Sequence, residues 1–267
     1  MSVVELLSSG VHFGHRVSRW NPKMQRYIFG KRNLIHIIDL KETIKGLVRA
    51  SRFVTSLVAR GEDVLFVGTK RQARLTIEAE AQRCGMPYVC ERWLGGTLTN
   101  FRTVRNRLRR LQEIENLETT GEIGQYSKKM VARFTHEKRK ITRNLAGIRE
   151  MAQLPGALFL IDPRQEYNAV REARKLEIPV IALIDTDSSP EAIDIPIPGN
   201  DDAMRSVVVI TRRIADAALE GKSRRAGLFV MTEKASQAPQ PAVGATPPAA
   251  PATTTGTAAP ASSQQTA

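Results

Sequence analysis

The sequence predicts an α/β protein: a parallel β-sheet covered by helices on both faces, carrying an inserted antiparallel helical hairpin. Two observations lead there. Short, continuously apolar runs alternate with stretches of helical spacing, the pattern of strands buried on both faces. One segment breaks that alternation with two long amphipathic series on either side of a glycine turn. The chain of 267 residues is long enough for a sizeable core, and 42% hydrophobic with 25% charged residues is an ordinary globular composition.

In chain order, Asp39 with Glu42 forms a possible capping box for a helix over 39–59. The run 64–68 reads as a buried strand, followed by a helix over 72–83 and, after Gly85 and Pro87, a short strand over 88–90. Phe101, Val104, Leu108, Leu111, Ile114 and Leu117 recur at spacings of three and four. After Gly121 so do Met130, Phe134, Ile141, Leu145, Ile148 and Ala152. The run 157–161 is a third strand. Asp162-Pro163 then reads as an N-cap with proline at the first helical position, for a helix over 165–176. A fourth strand spans 180–184, and Gly199-Asn200-Asp201-Asp202 opens a last helix over 203–219. The expected division is a basic N-terminal arm (1–38), an α/β domain (39–100 and 153–222), the hairpin (101–152) and a C-terminal extension (223–267). That extension, from about residue 235, holds no charged residue and six prolines among Ala, Thr, Ser and Gln, a composition expected to be disordered.

Charge narrows the function classes. Lys and Arg total 40 against 27 Asp and Glu, so the net charge is 40 − 27 = +13 with a pI near 10.2, which calls for a polyanion partner. There is no run of eighteen apolar residues for a membrane span, and no basic-then-apolar leader for secretion. Two cysteines, Cys84 and Cys90, cannot make a disulfide framework and fit a reducing compartment.

The stretch 6–38 contains no Asp or Glu, yet holds Arg16, Arg19, Lys23, Arg26, Lys31 and Arg32, with Phe13, Trp20, Tyr27 and Phe29 interleaved. Cations neutralise phosphates and flat rings stack on unpaired bases, so this reads as an RNA surface on an irregular arm. The plainer reading packs those rings into the protein's own core. A second cluster, Gly68-Thr69-Lys70-Arg71, follows a strand at a helix start, where backbone N–H groups can hold an anion. A third, Glu91 to Arg102, holds Arg92 and a Gly95-Gly96 pair that permits close approach of a partner or merely a tight turn. Between 102 and 150 there are 13 Lys and Arg against 6 acids, an excess of +7 that extends the basic surface to Arg102 and Arg105 at the hairpin base. No phosphate-binding or dinucleotide glycine motif occurs. Asp185-Thr186-Asp187 after a strand resembles the start of a phosphatase of the haloacid-dehalogenase type, but on the last clear strand its acids read as turn-makers and caps. His12, His15 and Asp185 are weak metal candidates; no zinc or calcium pattern occurs.

Gly10-Val11-His12-Phe13-Gly14-His15, Arg19-Trp20-Asn21-Pro22-Lys23-Met24, Arg92-Trp93-Leu94-Gly95-Gly96, Arg171-Glu172-Ala173-Arg174-Lys175-Leu176 and Ile197-Pro198-Gly199-Asn200-Asp201-Asp202-Ala203 follow in one order. Over about residues 4–221 the chain resembles the bacterial small-subunit ribosomal protein two family. It departs from that family's pattern at Asp187 and Ser189. The resemblance implies a flavodoxin-like three-layer α/β/α fold with an inserted coiled-coil hairpin. It also implies a structural, non-enzymatic role in the small (30S) subunit of the cytoplasmic ribosome, without cofactor, small-molecule substrate or membrane. Its implied partners are 16S ribosomal RNA and other small-subunit proteins, including small-subunit protein one, the large mRNA-binding protein that it helps to dock. The RNA contacts expected are Arg16, Arg19, Trp20, Lys23, Arg26, Lys31, Arg32, Lys70, Arg71, Arg92, Arg102 and Arg105.

Overall fold

The computed structural model describes residues 3–236, with side chains as far as residue 226. Beyond Ser236 the predicted disordered tail lies outside the described residues. After a short helix α1 (Val3–Ser8), the chain forms strands β1 (Phe13–Arg16), β2 (Ile28–Arg32) and β3 (Ile35–Ile38). Helix α2 (Leu40–Ala59) leads to β4 (Val64–Val67), α3 (Arg74–Cys84) and β5 (Tyr88–Val89). The hairpin helices α4 (Phe101–Thr119) and α5 (Lys128–Leu145) follow, then β6 (Ala157–Ile161), α6 (Tyr167–Lys175), β7 (Val180–Ile184), β8 (Ile195–Pro198) and α7 (Met204–Ser236).

Strands β5-β4-β6-β7-β8 form one parallel sheet in that order. This is the flavodoxin-like order of a doubly wound fold. Alternate residues feed two cores. Phe66, Phe159, Ile181, Leu183 and Ile197 face α2, α3 and α7, whereas Leu65, Val67, Leu158, Leu160 and Ala182 face α6, the hairpin base and the N-terminal segment. Phe66 and Phe159 meet edge to face at 5.4 Å, a contact of ~0.5–1.5 kcal/mol beyond the area it buries.

Several local expectations are corrected. The N-terminal segment is not an irregular arm: β1, β3 and β2 make an antiparallel sheet. Its β2–β3 connection is a two-residue turn, Asn33 (φ 49°) and Leu34 (φ 61°), the tight-hairpin geometry usually given to Asn-Gly. A register shift between Ile28 and Gly30 leaves Phe29 at a bulge, 80% exposed. Asp39 caps α2 by accepting from the Lys41 N–H, but its own N–H donates to the Tyr27 carbonyl, so no capping box closes and Glu42 pairs with Lys45 instead. Asp162 does not cap a helix at Pro163. It adopts φ 59°, its Oδ1 accepts from the Arg164 and Gln165 N–H groups, and α6 begins only at Tyr167. Strand β8, Ile-Pro-Ile-Pro, was hidden by its prolines, which an edge strand tolerates.

The last helix runs past Leu219 to Ser236. Gly221 lets it lie against α2, where a Cβ would fall 2.8 Å from the Thr55 carbonyl oxygen. The hairpin helices pack through Leu108, Leu111, Phe134, Ile141 and Leu145, with Arg107 paired to Glu137 and Lys138 to Glu118. Helix α5 stops at Leu145 rather than 152, because Gly147 passes so near β5 that a Cβ would lie 2.2 Å from the Tyr88 carbonyl oxygen. No helix among the described residues is long and apolar enough to cross a membrane.

Candidate nucleic-acid interface

The loops after β4, β6, β7 and β8 leave the sheet at its carboxyl end, where doubly wound folds take ligands. Here that end is occupied by the protein's own groups. The Lys70 ammonium lies 2.6 Å from Asp201 Oδ1, 2.6 Å from Asp202 Oδ1 and 3.7 Å from Asp162 Oδ2. Burial opposes its charge, but these carboxylates outweigh it and raise its pKa. His15, at the end of β1, places Nδ1 3.1 Å from Asp185 Oδ2 and Nε2 3.3 Å from Asp202 Oδ2. The Asp185 contact raises the imidazole to about 9 against the opposing effect of burial. Burial, with Asp162 and Asp185 nearby, pushes Asp201 up to about 7 although Lys70 pulls it down.

The turn before α3 likewise holds an anion, but an internal one. Glu166, 3% exposed, accepts from the Thr69 N–H and hydroxyl. Its pKa is raised by burial and moderated by those bonds. Lys70 thus differs from the expectation of a free phosphate contact, whereas Arg71 beside it is exposed.

The Gly95-Gly96 loop resolves the same way. Close approach is required, and the partner is Glu172 of α6. Its Oε1 accepts from Trp93 Nε1 (3.1 Å) and Gly96 N–H (2.8 Å). Its Oε2 accepts from Leu98 N–H (3.0 Å), Thr99 N–H (3.1 Å) and the Thr99 hydroxyl (3.2 Å). Gly96 turns at φ 89° to allow it. Burial raises this carboxyl, but the donors win and the pKa is lowered. The sequence reading quoted Glu172 within a family motif but gave it no role, because it is an acid on a helix more than 70 residues from the donors it serves.

The N-terminal sheet is stitched to the sheet end through Thr186, which is fully buried. Its Oγ1 accepts from His15 N–H (2.9 Å) and its carbonyl from Asn21 N–H (2.8 Å). The aromatic question is settled ring by ring. Tyr27 and the neighbouring Met24 are core residues; Trp20 is half-buried against His36 at 5.1 Å; Phe13 and Phe29 are exposed. The cations surround them. Arg16 ends β1, Arg19 closes a 3-10 turn, Lys23 and Arg26 lie in another, and Lys31 and Arg32 end β2. Arg71, Arg92, Arg102 and Arg105 follow β4 or β5. All are exposed. Among the described residues only Lys23 (to Glu191) and Lys70 of this set pair with a carboxylate; Arg105 donates to the Ala152 carbonyl.

Of the metal candidates, His15 and Asp185 come together with Asp201, each offering one ligand atom within 4.8 Å of the others. Lys70 already lies against Asp201. His12 is elsewhere, stacked on Phe13 at 4.0 Å, its pKa lowered by burial. Asp185 and Asp187 do not form a working pair. The first is buried beside His15, and the second bonds Arg164 at 2.8 Å.

Fold and surface together define an α/β scaffold whose sheet end is closed by internal acids and whose cations point outward. Residues 6–221 match the family described as Ribosomal protein S2. The small ribosomal subunit protein uS2 of Rhodopirellula baltica is 57% identical over 222 residues, covering 83% of this chain and 85% of that one. Those of Mycobacterium bovis and Mycobacterium tuberculosis are 54% identical over 228 residues, covering 85% of this chain and 79% of theirs. The chain belongs to the ribosomal protein S2 family. That makes it a small-subunit ribosomal protein, a structural constituent of the ribosome.

Proposed function

We propose that the protein binds 16S ribosomal RNA through phosphate and shape, and that it supports assembly of the small subunit and docking of small-subunit protein one. The observation that carries the RNA reading is the set of exposed arginines on the N-terminal sheet and around β4 and β5, which have no carboxylate partner among the described residues. A surface cation without an acid beside it keeps its full field for phosphate. Lys70 serves this surface from beneath, holding Asp201 and Asp202 in place. Docking of protein one rests on the family resemblance. Phe29 and Leu34, 80% and 78% exposed, give the N-terminal sheet an apolar edge for a protein partner.

Sedimentation of tagged protein from lysate tests the reading. Wild type should travel with 30S particles through moderate salt. The triple replacement Arg16→Ala, Lys31→Ala, Arg32→Ala should dissociate at lower salt while its circular dichroism is unchanged. A triple variant that holds to particles at every salt concentration as tightly as wild type sinks the role of the N-terminal cations.

A further inference from the structure

Beside the closed sheet end lies an open cleft of about 820 Å3, lined among others by Arg19, Trp20, Asn21, Arg164 and Asp187. We propose that it holds one unpaired ribonucleotide of the bound RNA strand, its base stacked on Trp20 and its phosphate against Arg19. This rests on the RNA-binding reading above and names what one part of that surface recognises.

Trp20 is a prepared platform. His36 backs it, and Asn21 next to it is fastened through its N–H to the carbonyl of buried Thr186 and through its Oδ1 to the Lys23 N–H. A ring held this way loses little freedom when a base stacks on it, and any base offers a face. The Arg164–Asp187 pair also lines the cleft. Two guanidiniums and one carboxylate leave a single positive charge, which suits a phosphodiester. Asp187 Oδ2 accepts from Arg164 and Oδ1 from the Ser188 hydroxyl at 3.3 Å, and each carboxylate oxygen keeps a second lone pair. A carboxylate there repels bare phosphate but accepts from a base amine or a ribose hydroxyl, which a nucleotide supplies. Paired bases hide their faces, so a duplex cannot use the platform.

The chain has two tryptophans, and Trp93 is 7% exposed, so Trp93→Phe leaves Trp20 as the only reporter. Glu172 keeps its backbone donors in that variant. Titration with hexaadenylate should quench Trp20 emission strongly, a short RNA duplex at equal phosphate should quench it little, and AMP should bind far more weakly because neighbouring phosphates are missing. Trp20→Ala should weaken hexamer binding by ~5- to 100-fold, the usual loss for one base stack, and Trp20→Phe should restore most of it. Equal quenching by duplex, no quenching by hexamer, or full affinity in Trp20→Ala overturns the proposal. Wild-type uptake by 30S particles depleted of this protein is measured in parallel. Uptake with a silent Trp20 sinks the cleft alone, whereas failure of uptake sinks the RNA-binding reading with it.

Discussion

Glu172→Ala removes the side chain that collects the most hydrogen bonds among the described residues. One carboxylate collects five hydrogen bonds from the segment between Trp93 and Thr99. Two of the five donors, Trp93 Nε1 and the Leu98 N–H, belong to buried residues, and stranding each costs ~1–3 kcal/mol. The Gly96 and Thr99 groups can turn to water, so their loss adds ~0–1 kcal/mol apiece. The variant should therefore lose roughly 2–9 kcal/mol in urea unfolding, read as a lower midpoint at constant slope. Glu172→Gln keeps one acceptor oxygen and should lose roughly half as much, since bonds to a charged acceptor are about twice as strong. The sign with pH is also fixed. This carboxyl's pKa is lowered on folding, so its contribution is present above the ordinary value of 4.5 and is lost as pH falls through the folded value. The gap between wild type and Glu172→Ala should narrow in acid. A cost below about 1 kcal/mol, or a gap that does not change with pH, would refute the clamp.

Asp201 should act in the opposite sense. Its pKa rises from 3.8 to about 7 on folding, so its contribution is full below 3.8 and is lost as pH climbs through about 7. The stability of wild type relative to Asp201→Asn should fall across that window by up to about 4 kcal/mol, and a flat difference in pH-dependent urea midpoints would contradict it. Gly14→Ala would set a Cβ 2.6 Å from Thr186 Cγ2, so the N-terminal sheet should loosen from the sheet end, seen as faster amide exchange at His15 and Asn21. RNA affinity should fall with salt with a log–log slope of about −0.7 to −0.9 per phosphate contact, and the Arg16, Lys31, Arg32 triple variant should flatten that slope by about 2.

Strands β4, β6 and β7 were legible because they are buried on both faces and read as unbroken apolar runs. The N-terminal sheet was not, because its cations and exposed rings erase the alternation and its register shifts twice. Pairing with β7 decides the strand state of β8 against its own two prolines, a tertiary effect that local spacing cannot carry. The outward cations of the N-terminal sheet were visible through the absence of acids nearby in sequence. The inward partners were not: Lys70 meets Asp201 across 131 residues, and nothing local distinguishes a lysine that will turn inward from Arg71, which does not.

That inward turn explains how the acidic sheet end and the basic surface coexist. Asp162, Asp185, Asp201 and Asp202 gather beneath the N-terminal sheet, and left bare they would repel any phosphate brought near it. Lys70 and His15, the latter cationic below about 9, neutralise part of that charge from within. The upward shift of Asp201, driven by burial, weakens its charge further. The cluster therefore fastens the N-terminal sheet to the α/β body at little cost to the field outside. Arg16, Arg19, Arg26, Lys31 and Arg32 then stand on a rigid support with their charge uncancelled. A fold that elsewhere offers this crevice to a small ligand here fills it with its own side chains, and on the proposed reading RNA meets the cations one layer further out.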